Sequence, residues 1–347
     1  MKKLNWEDLK GIIEDDFGSY VEENSKLDYN EMQGIEGCLN ILKDCGQISE
    51  EAIRNAMYNH SIDKILKKVL EKFEQIYSYR NDNIEIIKNR TKGTLSVEIG
   101  ENCIFFDRNL EDSLHEFFMV TMIWGKYIDD EDKYGRFFNY LTVVLIGIIQ
   151  NKTCNIYSFE YIGDEIRQGT SIANVAVGCQ YFCVYFCIAH EVAHRYLEDI
   201  NCMTNRKTNP VQSEYQADSI AYHVVLHLME DESKLNSDSD RELSDFCYLS
   251  PMMFFDFWEL IFYVDRVIFK KYVENDDKHP EVKKRRDSLF NVPYEDEFSF
   301  DTDQGNDLYA GFLDVIDKYK TELLYREKTG QLNSLLECIG EAGNDKK

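Results

Sequence analysis

Apolar residues recur every three or four positions over most of this chain, the period of helices with one buried stripe. "SEEAIRNAMYNHSIDKILKKVLEKFEQIYSY" opens at Ser49 followed by acids, as helix starts do, and keeps that spacing. The rhythm breaks at "NRTKGTLSVEIGENCIFFDRNL", where "LSVEI" and "CIFF" flank "GEN"; this predicts a small hairpin or adjacent strands. Helical spacing returns in "LEDSLHEFFMVTMIWGKYI" and "FFNYLTVVLIGIIQ", then over about 175–199 and, after a polar connection, about 211–230. Pro210 suits the start of that last helix. "ESKLNSDSDRELSD" reads as a solvated loop, "MMFFDFWELIFYVDRVIFKKYV" as a long, mostly buried helix, and "EAGNDKK" as a frayed tail. The expected fold class is α+β, predominantly helical with a small β-sheet. The expected partition is an N-terminal helical region over 1–90 and a larger domain over 91–347.

Composition narrows the function classes. Hydrophobic residues make up 44% and aromatics 13% of 347 residues, enough for a globular core. Net charge is −25, which repels nucleic-acid phosphate and anionic lipid and argues against a general nucleic-acid-binding role. No secretory segment or membrane span is read, so membrane insertion is not expected. Ten cysteines without an export signal or a CxxC pair point to reduced thiols and a cytoplasmic location.

The chemistry concentrates in "CIAHEVAHRYLED". His190 and His194 lie four positions apart, hence 40° apart on one helix face, a geometry that lets two imidazoles reach one ion. Glu191 is turned 100° away, near enough to touch water at the metal without being a ligand. From this chain's own histidine and acid content, such a pattern arises by chance about 0.03 times. Two imidazoles leave a catalytic zinc short of a third protein ligand. Twenty positions after His194, "SEYQADSIAY" supplies Glu214, with Asp218 one turn on and again 40° round. One helix thus offers a carboxylate for the metal and a second for an imidazole N–H, and Ala217 between them leaves room for close helix approach.

"HEVAH" followed by "EYQAD" resembles the gluzincin type of zinc metallopeptidase. The ExxAD form resembles the CAAX prenyl protease and heat-shock membrane protease family, and also the soluble Lit-type phage-exclusion peptidases. Downstream, "HPEVKKR" places His279, Pro280 and Arg285 much as the prenyl-protease family's HP-plus-arginine element does. The resemblance spans about residues 187–286; it lacks the membrane helices of that family, and its two motifs stand closer together. It implies a zincin-like metallopeptidase domain holding one Zn2+ through His190, His194 and Glu214. Glu191 would be the general base, Asp218 the residue orienting a ligating histidine, and His279 and Arg285 the groups that hold the reacting carbonyl. A protein or peptide would be the substrate, the N-terminal region would serve regulation through a partner or substrate selection, and the Lit-type likeness implies phage defence or cleavage of one regulatory protein.

Two other classes stay open from sequence: a zinc-bearing sensor or scaffold without turnover, and an acidic module that binds a basic partner. Lesser features take ordinary readings. His223 and His227 fall near 180° and 220° from Glu214 and are expected in packing or solvent contact. Cys179, Cys183 and Cys187 line the same stripe as the histidines and are expected in the core. Arg195 is expected in a surface ion pair. "CIFFD" is either a buried strand or a sheet edge able to hold an extended peptide.

Overall fold

The computed structural model describes residues 62–81, 83–89, 97–100, 103–150, 152, 154, 156–204, 209–235, 245–270, 280–292, 298 and 302–333. In chain order the elements are α1 (Ile62–Tyr77), β1 (Glu85–Asn89), β2 (Val97–Ile99), β3 (Cys103–Asp107), α2 (Arg108–Lys126), α3 (Glu131–Ile149), α4 (Glu160–Gln168), α5 (Ser171–Thr204), α6 (Pro210–Leu235), α7 (Ser250–Phe269), α8 (Val282–Leu289) and α9 (Thr302–Thr329). The fold is predominantly helical with one three-stranded sheet. The pattern reading leaves β1, α4, α8 and α9 unassigned. The expected helix start at Ser49, much of the loop after 235 and the tail lie outside the described residues.

The sheet runs β1-β3-β2, with β1 parallel and β2 antiparallel to β3. The expected hairpin is there: Val97 stands opposite Phe106 and Ile99 opposite Ile104. "CIFFD", however, is the central strand and offers no free edge. Alternation places Ile104 and Phe106 in the core and Phe105 outward. Asp107 ends the strand and caps α2, its side chain accepting from Asn109 N at 2.8 Å, a contact whose loss costs about 1 kcal/mol. The boundary expected at 90 lies between β1 and β2. β1 pairs with β3 across it, and Ile65, Val69 and Phe73 of α1 join the same core as α5.

α5 is the axis of the fold. At 34 residues it spans about 50 Å, and α1, α2, α4, α6, α7 and β2 all pack against it. It is long and apolar enough by composition to cross a membrane, yet 72% of its apolar window is buried by the surrounding protein. Phe182, Phe186, Ile188 and Val192 are essentially inaccessible to water, and burying each contributes roughly 1.5–3 kcal/mol. Cys179, Cys183 and Cys187 are buried in the same stripe as expected, with Cys183 donating to Ser250 O at 3.2 Å. α6 lies alongside α5, with Ala217 and Ala221 fully buried. Small side chains on the Glu214–Asp218 face let the two backbones approach until their polar residues meet.

Candidate metal centre

The meeting point of α5, α6 and α8 gathers six polar side chains: His190, Glu191, His194, Glu214, Asp218 and Arg285. His190, Glu191 and Glu214 are 7–8% exposed and Asp218 is fully buried. Unpaired polar groups at that depth cost several kcal/mol, so their contacts define the site.

His190 Nε2 lies 3.0 Å from His194 Nε2 and 3.6 Å from Glu214 Oε2; His194 Nε2 lies 3.2 Å from Glu214 Oε1. Four tetrahedral donors at about 2.0–2.1 Å from an ion stand about 3.3–3.4 Å apart. The triangle fits that spacing, and the two imidazole planes cross at 88°. These three residues could hold a metal ion, and they are the one such group among the described residues.

Behind the triangle, His190 Nδ1 sits 2.9 Å from Asp218 Oδ1. A carboxylate there favours the Nδ1–H tautomer and leaves the Nε2 lone pair for an ion. Arg285 completes the arrangement from α8. Its Nε donates to Asp218 Oδ2 at 2.8 Å and its Nη2 to Asp218 Oδ1 at 2.7 Å, while Nη1 stands 3.2 Å from Glu214 Oε2. The guanidinium lies over the Phe255 ring, 5.1 Å from its centroid. Arg285 is thus at the site, but its tightest bonds go to Asp218, a role the sequence did not suggest. His279 lies outside the described residues.

The electrostatics follow from these contacts. Burial works against the imidazolium of His190, but Asp218 and Glu214 outweigh it and lift its pKa to about 9. Burial also works against the Glu214 carboxylate, yet His190, His194 and Arg285 hold it ionised well below the usual range. Asp218 is likewise lowered: burial opposes its charge and Arg285 and His190 prevail. Glu191 differs. Burial raises its pKa, and no hydrogen bond commits its carboxylate among the described residues. A basic, uncommitted carboxylate one residue from a metal triangle is suited to carrying a proton.

The lesser features settle as expected. Tyr77 Oη is 3.0 Å from His223 Nδ1, and His227 packs on Phe298 with ring centroids 4.8 Å apart. Arg195 pairs with Glu198 at 3.3 Å. Sequence reasoning missed Phe255 and the carboxylate beside it, Asp256, which no motif marks. No protein-family model, curated protein or solved structure matches this chain.

Proposed function

We propose that this protein is a cytoplasmic zinc-dependent metallopeptidase that hydrolyses a peptide bond in a protein substrate. The observation that carries the reading is the triangle of two imidazole nitrogens and one carboxylate at 3.0, 3.2 and 3.6 Å, with Glu191 beside it. Buried imidazoles with a single carboxylate favour zinc over magnesium or calcium, which select oxygen. Three protein donors with no fourth among the described residues leave a position for substrate, where a structural zinc would be closed by protein ligands. That feature favours an enzyme over a scaffold.

Bound zinc would supply Lewis acidity toward a carbonyl and toward water. The chain's own groups do the rest. Glu191 takes the proton of the attacking water and returns it to the amine nitrogen that leaves. Asp218 keeps the Nδ1 proton on His190, which leaves the Nε2 lone pair as the one that would hold a metal. Arg285 keeps Asp218 and Glu214 ionised. Reduced cysteines through the core agree with a cytoplasmic location.

The test compares wild type with Glu191→Gln, by zinc analysis and by a search for new protein N-termini in expressing cells. Equal zinc is expected in both, with cleavage at least 100-fold weaker in the variant, from loss of the proton carrier. Cleavage that survives in the variant removes Glu191 from the mechanism.

A further inference from the structure

α8 has little of its own to hold it in place. It is eight residues long, has no side-chain cap at Glu281, and Leu289 is its one fully buried residue; an isolated helix of that length is unstable in water. Its consecutive arginines supply the missing attachment, and they reach in different directions. Arg285 reaches α6 at Asp218 and Glu214. Arg286 pairs with Asp256 on α7, a carboxylate only 4% exposed, whose other oxygen accepts from Tyr309 of α9 at 2.6 Å. The match between helices is residue for residue: Phe255 lies beneath Arg285, and Asp256, next along α7, binds Arg286.

We propose that Arg286, Asp256 and Tyr309 form a remote anchor of positioning residues: they fix α8 on α7 and α9, and so set the Arg285 guanidinium against Asp218 and Glu214. The part that concerns the metal rests on the peptidase reading above. None of the three residues touches the donor triangle, so the anchor acts only through Arg285. Asp256 is buried and shared between a guanidinium and a phenol, which leaves it few alternative positions. Its bidirectional grip turns a short surface helix into a fixed support.

Two measurements test the anchor, on the full chain. Amide hydrogen exchange of the zinc-free protein reads α8 directly: Asp256→Asn is expected to speed exchange at 284–289 by about tenfold or more, since the anchor governs local opening. Unchanged exchange overturns the anchor. Zinc competition with a chelator reads its consequence: the zinc dissociation constant is expected to rise about tenfold in Asp256→Asn, the low end for outer partners of a metal site. In an Arg285→Met background the same substitution is expected to add nothing, because the path is already cut. A full additive rise shows that Asp256 acts on the fold at large and overturns the positioning role. Tyr309→Phe, which removes one hydrogen bond and keeps the ring, is expected to give a smaller shift of the same kind and covers misfolding of the Asn variant. A wild type that binds no zinc defeats the peptidase reading instead, and the exchange measurement still decides the anchor.

Discussion

Arg285 grips Asp218 through two parallel bonds, 2.8 Å from Nε to Oδ2 and 2.7 Å from Nη2 to Oδ1, while the same Oδ1 stands 2.9 Å from His190 Nδ1. One buried carboxylate therefore links an arginine on α8 to a candidate metal ligand on α5. Asp218→Asn keeps the shape and removes the charge. Zinc affinity is expected to fall 10- to 100-fold, as when an outer partner of a ligating histidine is lost. Arg285 is left without its main counter-charge, at a cost of about 3 kcal/mol because the guanidinium is mostly buried. Chelator competition and urea unfolding of the zinc-free variant measure the two effects. Unchanged zinc affinity means that Asp218 does not orient His190.

Proton linkage gives a separate expectation. In the zinc-free protein His190 has a pKa near 9, against 6.5 for an ordinary histidine. A raised folded value means that its contribution to stability is complete below pH 6.5 and is lost as pH rises through about 9. Glu214 and Asp218 are lowered, so their contributions are complete above ordinary carboxylate values and are lost progressively as pH falls from there through the lowered folded values. Zinc and that proton compete for His190 Nε2. Zinc binding at pH 7 is therefore expected to release close to one proton from His190, and to tighten nearly tenfold per pH unit up to about 9. Calorimetry in buffers of different ionisation enthalpy counts the proton. Binding that does not vary between pH 7 and 9 would place the metal elsewhere.

Thiol chemistry tests the core reading of the cysteine stripe. Cys179, Cys183, Cys187 and Cys247 are all buried, and burial pushes the thiols of Cys183, Cys187 and Cys247 well up. Cys202 is exposed. Alkylation of the native protein followed by peptide mass spectrometry is expected to modify Cys202 before those four, which stay protected until unfolding. Early modification of Cys187 would instead mark a reactive thiol beside Glu191.

The donor triangle was legible because helical geometry is local: a four-residue step puts His190 beside His194 and Glu214 beside Asp218 whatever surrounds them. Pairing the two helices needed one further inference, and Ala217 hinted at it. Arg285 could be named but its partner could not, since that contact joins positions 67 apart. Arg286 and Asp256 were illegible for the same reason. β1 escaped because Ile87 interrupts the alternation of Ile84, Glu85 and Ile86, and its partner strand pairs from the far side of the expected boundary at 90. The central place of "CIFFD" follows from that missing neighbour.

The central claim is that α5 and α6 jointly hold one divalent ion through His190, His194 and Glu214. X-ray absorption at the zinc edge, on protein loaded with one equivalent, tests it most directly. The account predicts two imidazole nitrogens and oxygen donors at about 2.0–2.1 Å with no sulfur, and loss of that signature in Glu214→Ala. Sulfur scattering at about 2.3 Å, or a spectrum unchanged by the Glu214 substitution, would contradict it.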